Sequence, residues 1–233
     1  MLHYLENLFQ ALDFGSLGDA AARMAAVLLC LTVHETCHGL AACALGDSTA
    51  KSRHRLSLNP LRHIDWFGLL MMFAVGFGWA KPVPVDPRYF KHPKRGMALT
   101  ALAGPVSNFL LAWLFLLLSG GLLRLLDVFF MSLSSEAIAG LSALVRFLVN
   151  AAVLSVGLGL FNLFPIPPLD GAKVFFSLFP DRVYFTVLRY ERYVMFLMLA
   201  AVWLGWLDKP LSFLITHAVN ILGVLSAYPY PLF

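Results

Sequence analysis

"LTVHETCHGLAACALG", residues 31–46, is greasy enough for a bilayer helix yet carries His34, Glu35 and His38 at its middle. Glu35 is the only formally charged residue between Arg23 and Asp47. A window of that length crosses the hydrocarbon core, which takes about 20 apolar residues. H-E-x-x-H on a helix sets two imidazoles one turn apart on a single face. Neutral imidazole nitrogens bind Zn²⁺, and the carboxylate beside the first can take a proton from water at the metal. The competing reading is a polar pair joining two helices. It carries less weight inside a span, where an ionised side chain costs about 2.5–3.5 kcal/mol and marks function by default.

Working outward, the rest of the chain also reads as membrane. Its 233 residues are 60% hydrophobic and 13% charged, against about a quarter charged in soluble domains, and the mean hydropathy is +0.77. Residues 96–123, 147–169 and 210–233 carry no charge. The expected fold is an all-α polytopic membrane protein of about five transmembrane helices, near 22–46, 97–123, 138–164, 193–207 and 211–229. Residues 1–20 show helical spacing of leucines and fit either an interfacial helix or a disordered tail. The first 22 residues hold no Lys or Arg, so no charged region of a secretory signal is visible. Cys30, Cys37 and Cys43 fall in one span, which argues against a disulfide framework.

The short apolar stretch 66–80 holds three glycines and lies between two basic loops, 48–65 and 81–95. If it dips into the bilayer and returns, forming a re-entrant or extended segment over about 66–86, both loops share one side. Lys51, Arg53, Arg55, Arg62, Lys81, Arg88, Lys91, Lys94, Arg95, Lys173, Arg182, Arg189 and Arg192 then face one compartment. Only Arg23, Arg124, Arg146 and Lys209 face or border the other. This asymmetry is the positive-inside pattern, with the N-terminus outside. It accounts for the net charge of +4 without invoking nucleic acid.

A catalytic zinc takes a third protein ligand and keeps one position open. The candidate lies in "NLFPIPPLDG", residues 162–171. Pro165, Pro167 and Pro168 cannot continue the helix that begins near 138. They are expected to hold the chain extended and deliver Asp170, with Gly171 permitting a tight turn. Without the two imidazoles, the same residues would read as an ordinary helix-ending turn. Asn108, in "AGPVSNF" (103–109), has two readings: an amide donor for the oxyanion of a tetrahedral intermediate, or an interhelical hydrogen bond. Asn162 has the same two. Gly104 and Pro105 allow close helix approach and a kink.

"HETCH", "AGPVSN" and "NLFPIPPLDG", with "LGDSTAKSRHRLSLNPLRHID" between them, resemble the site-2 protease family of intramembrane zinc metalloproteases. The likeness runs from about 30 to 175 and is greatest to small prokaryotic members without an accessory domain. It implies one membrane-embedded metalloprotease domain over 1–233 and one Zn²⁺ per chain, held by His34, His38 and Asp170 with Glu35 as general base. It places Asn108 near the active site and makes 78–85, "GWAKPVPV", part of the path of an extended substrate. It further implies a prokaryotic inner membrane, with the active site toward the cytoplasm. Two departures stand out. Cys37 fills a position more often small or aliphatic, and Ser52-Arg53-His54 replaces a stretch that tends to be small or Gly-containing.

These features favour an intramembrane zinc endopeptidase acting on transmembrane or membrane-embedded peptides, in regulated intramembrane proteolysis or in membrane-peptide clearance. The lipid bilayer is its other partner. A membrane zinc transporter would not need the carboxylate beside the first ligand, and an inactive protease-like binding protein would not need a complete ligand set. A di-iron desaturase would need more histidines than the seven present, of which one pair is spaced i,i+4.

Overall fold

The computed structural model describes residues 17–68, 70 and 79–226. Helix α1 (Leu17–Ala44) carries the H-E-x-x-H motif, and a single helical turn (Thr49–Ser52) follows it. Helix α2 (Pro93–Phe129) starts on Pro93, whose missing N–H falls where a helix leaves its first donors unused. It continues through Pro105. Helix α3 (Ser135–Asn162) is capped by Ser134, whose hydroxyl accepts the Ala137 N–H at 3.2 Å. Beyond it come α4 (Asp170–Phe176), α5 (Asp181–Arg189), α6 (Glu191–Trp203) and α7 (Asp208–Leu225). Among the described residues there is no β-strand, only an isolated antiparallel bridge between Ile64 and Ala80.

Among the described residues three segments are long and apolar enough to cross a membrane: Gly18–Ala44, Pro93–Ser132 and Ser135–Asn162. The expected spans at 193–207 and 211–229 correspond to α6 and α7, which meet at a bend of 81°. The 13 residues of α6 rise about 20 Å, short of a hydrocarbon core about 30 Å thick. The pair therefore makes at most one broken span, which gives three or four candidate spans among the described residues beside the approximate count of five expected from the sequence. Most of the expected interfacial helix, residues 1–16, lies outside the described residues.

The packing of α1, α2, α3 and α7 inverts the pattern of a soluble bundle. The shared core is Ala26 and Cys30 of α1, Ala112, Phe115 and Leu116 of α2, Leu148, Ala151, Ala152 and Val156 of α3, and Val219 of α7. Small residues predominate, because helices surrounded by lipid gain nothing from burying Leu and associate through close backbone approach. The larger apolar side chains Leu110, Trp113, Leu114, Leu117 and Leu118 lie on the outside of α2. Interhelical hydrogen bonds add to the contact. Ser155 Oγ of α3 donates to the Asn108 carbonyl of α2 at 2.8 Å, and the Cys30 thiol of α1 points to the Ala151 carbonyl at 3.8 Å.

The segment expected to be re-entrant begins and ends at one place. Ile64 bridges Ala80, the Lys81 N–H donates to the His63 carbonyl at 2.8 Å, and the rings of Phe67 and Trp79 lie 5.7 Å apart. The middle of that segment, residues 71–78, lies outside the described residues. His63 is buried as the segment's anchor, its Nε2 donating to the Ser57 carbonyl at 2.8 Å. In the preceding loop His54 adopts φ +53°, the left-handed region that favours glycine. The departure from a Gly-containing loop thus places a side chain where glycine fits best, and Arg62 Nη1 donates to its carbonyl at 2.7 Å. Because the segment's two ends meet, single cysteines introduced at Arg53 and at Lys91 should both react with an impermeant thiol reagent from the same side of sealed vesicles. Labelling from opposite sides would refute the paired ends.

Candidate metal centre

Helical pitch alone brings the first two groups together. His34 and His38, four residues apart on α1, stand with their rings at 89° and centroids 4.5 Å apart, and their Nε2 atoms are 2.9 Å apart. The third group arrives from α4. Asp170 Oδ2 lies 3.2 Å from His34 Nε2 and 3.1 Å from His38 Nε2. All three residues are buried, at 3%, 8% and 8% exposure. Glu35 is half-buried, and its carboxylate shares with the two histidines a group of potential ligand atoms within 4.8 Å of one another.

Tautomers decide what such a cluster can bind. His38 Nδ1 is 2.7 Å from the Thr100 carbonyl of α2. A carbonyl only accepts, so Nδ1 carries the proton and Nε2 presents a lone pair. His34 Nδ1 faces the Asn108 amide at 3.0 Å, and Asn108 Oδ1 is buried without a hydrogen-bond partner. The amide's two ends are alike in outline. Turned so that Oδ1 accepts from Nδ1–H, it gives His34 the same tautomer as His38. Two imidazole lone pairs and a carboxylate oxygen then face one point. Tetrahedral zinc, with bonds of about 2.0–2.2 Å, sets its ligand atoms about 3.3–3.6 Å apart, close to the separations found. The donor set therefore fits a zinc ion, with His34, His38 and Asp170 as the residues that could hold it.

Two elements differ from expectation. Asn108, which the sequence leaves open between a donor to an oxyanion and an interhelical hydrogen bond, is fully buried and stands at Nδ1 of His34, the ring nitrogen turned away from the cluster. From there it orients an imidazole, which is the interhelical reading. The segment 163–169 is a series of turns, and Asp170 is the first residue of a short helix, where an extended run was expected. Gly171 does not make a tight turn. It sits in that helix, and a Cβ there would collide with the Leu163 carbonyl oxygen. The other close approach is at Gly104 of α2, where a Cβ would lie 2.5 Å from His38 Cε1 and Nε2 and 2.6 Å from His34 Cε1.

Several participants carry no signal in a linear reading. The Val83 N–H donates to Glu35 Oε2 at 2.9 Å. Segment 81–86 is fixed there by Arg55 Nη2, which donates to the Lys81 carbonyl at 2.7 Å, and by Asp47. Asp47 is fully buried. Its Oδ1 accepts from the N–H and hydroxyl of Thr49, and its Oδ2 accepts the Asp86 N–H at 2.7 Å. The half-buried Asp86 carboxyl is itself held down at about 2 by hydrogen bonds from Arg88. Lys173 Nζ lies 3.6 Å from Asp170 Oδ1. It was legible only if a helix began at Asp170, and the prolines before it masked that start. Asn162 stays with its own helix, donating to the Leu158 carbonyl at 2.9 Å.

Two substitutions test this geometry. Asn108→Ala should weaken zinc binding about 10- to 100-fold, the usual effect of losing the partner of a ligating imidazole. A residue serving only an oxyanion would leave metal affinity unchanged. Gly104→Ala should displace the imidazoles and lower metal content by elemental analysis, whereas Gly121→Ala, which meets nothing within 4 Å, should leave it intact.

Comparison with known proteins agrees with this chemistry. The model of peptidase family M50 matches residues 22–205. The chain is 38% identical over 181 residues to the "Putative zinc metalloprotease YwhC" of Bacillus subtilis (strain 168), covering 77% of this chain and 80% of that protein. No solved structure matches it. The matched span runs from α1 through α6 and takes in the helix of the two imidazoles, the helix behind them and the turn that delivers Asp170: the chain belongs to peptidase family M50, the site-2 protease family of metalloproteases.

Proposed function

We propose that this integral membrane protein is an intramembrane zinc endopeptidase, hydrolysing peptide bonds in or beside transmembrane segments of membrane-bound substrates. The observation that carries the reading is the convergence of His34 Nε2, His38 Nε2 and Asp170 Oδ2, with a half-buried carboxylate one residue from the first imidazole. When bound by these three residues, zinc supplies Lewis acidity that polarises a carbonyl and lowers the pKa of a water. Glu35 takes that water's proton and returns it to the leaving amine. The Val83 N–H, on Oε2, fixes the carboxylate's orientation and leaves Oε1 to do this.

A substrate helix hides its peptide bonds in its own hydrogen bonds, so it must unwind before attack. An unwound segment is held most simply by main-chain pairing with an extended stretch of the protein. Residues 78–86 are the proposed place, with a restriction. Pro82 and Pro84 have no N–H, and those of Lys81 and Val83 are already donated to His63 and Glu35. Residues 81–84 can therefore offer such a substrate only carbonyl oxygens. The basic loops at 48–65 and 81–95 support an orientation with the N-terminus outside and water reaching the site from the cytoplasmic face.

The full-length protein in detergent or liposomes should lose cleavage of a membrane-embedded peptide on Glu35→Gln while keeping its zinc, and should lose zinc on Asp170→Asn. Cleavage by the Glu35→Gln protein at the wild-type rate would overturn the assignment of the base. Zinc stoichiometry unchanged in Asp170→Asn would remove Asp170 from the ligand set. Zinc flux that survives Glu35→Gln would point instead to a transporter.

A further inference from the structure

The two oxygens of Asp170 have different neighbours. Oδ2 faces both imidazoles at 3.1–3.2 Å, while Oδ1 faces the ammonium of Lys173 at 3.6 Å, one turn further along α4. This is not the ordinary i,i+3 pair of a wet helix surface, which contributes little. The Lys173 side chain is 27% exposed and the Asp170 side chain 11%, so the pair is poorly screened. A carboxylate beside a dication can bind through one oxygen or through both. Binding through both fills a position that a catalytic zinc keeps open for water or substrate. A fixed cation 3.6 Å from Oδ1 opposes that second bond, because it stabilises the charge on that oxygen and repels a dication moving toward it.

We propose that Lys173 is a positioning residue of the metal centre: its ammonium holds Oδ1 of Asp170, so that the carboxylate offers Oδ2 alone to a metal bound with His34 and His38. The inference rests on the reading of Asp170 as a metal ligand. Its role differs from that of a stabilising contact in one respect. Removing Lys173 leaves the ligands in place and takes away a repelling charge, so metal is retained while coordination changes.

Cobalt reports coordination number directly, since its visible ligand-field bands weaken when a fifth ligand joins four. Full-length protein, stripped of metal and reloaded with Co²⁺, should show the bands of a four-coordinate ion in wild type and Lys173→Arg, and weaker ones in Lys173→Met. In zinc-loaded protein, Lys173→Met should keep stoichiometric metal while kcat falls about 10- to 100-fold, the scale on which partners of ligands act. Lys173→Arg should recover most of that loss. If Lys173→Met fails to fold, Lys173→Gln makes the same comparison. A neutral variant with the wild-type cobalt spectrum would overturn the proposal, as would joint loss of metal content and metal-free melting temperature, the mark of a structural role. Wild-type protein that takes up neither metal would overturn the metal-ligand reading itself.

Discussion

Three electron-pair donors are held about 3 Å apart inside an apolar bundle, and the surrounding structure answers to that requirement. Two neutral imidazole nitrogens and a carboxylate oxygen repel one another unless a cation stands between them, and burial removes the water that would otherwise separate them. Each is fixed by a different device. The pitch of α1 aligns His34 and His38, the Thr100 carbonyl and the Asn108 amide on α2 hold the far nitrogens, and the start of α4 aims Asp170. Gly104 makes these devices compatible, since α2 can reach both Nδ1 atoms only by lying directly on the rings. The alanine-rich core and the glycine at 159, whose Cβ position is 3.2 Å from the Pro105 carbonyl, extend the same close approach to α3.

How much of this could be read in the sequence depends on the range over which each feature is encoded. The motif on α1 is local, because an i,i+4 pair defines its own face, and the sequence identifies it directly. The spans of α1, α2 and α3 are legible because a charge-free run of sufficient length has few other fates. At the C-terminal end, periodicity gives helices but not the 81° bend between α6 and α7, so a count of spans from hydropathy alone is approximate there. Asp170 is legible as a candidate, though its setting is not. Three prolines correctly predict that α3 stops, yet the chain re-enters a helix at Asp170 itself, which brings Lys173 onto the face of Oδ1. The Asn108 position shows the limit most clearly. Composition allows an oxyanion donor or an interhelical bond, and the partner the amide meets, His34 Nδ1, becomes visible only in the approach of α2 to α1.

Charge gives a consistent account of why this centre can exist at membrane depth. Asp170 and Glu35 would supply two negative charges against the dication that the ligand set fits, so a loaded centre would be near neutral. Lys173 adds a positive charge on the outer oxygen of Asp170. Negative charge developing on a substrate carbonyl in the proposed reaction would then face a net positive neighbourhood. A centre neutral in its resting state and slightly positive where the transition state is negative follows the logic of electrostatic preorganisation. It also limits the cost of carrying five ionisable groups so close to lipid.

Glu35 occupies the exposed edge of this arrangement, and its surroundings set the direction of access. The three proposed ligands are nearly inaccessible, whereas Glu35 is only half-buried and abuts segment 81–86 through the Val83 N–H. That segment is rigid by composition, with prolines at 82 and 84, and is pinned at both ends by Arg55 and Asp47. Asp47 lies twelve positions beyond Glu35 and three past the end of α1, so the segment is held just after the helix terminus and again on the helix, at the Glu35 carboxylate. A proline-locked strap attached to α1 at Glu35, and to the residues just after that helix at Asp47, is held in place relative to the histidines the helix carries. The base, the two imidazoles and the stretch proposed to meet the substrate are thereby referenced to one helix, and the bundle behind them has only to deliver Asp170.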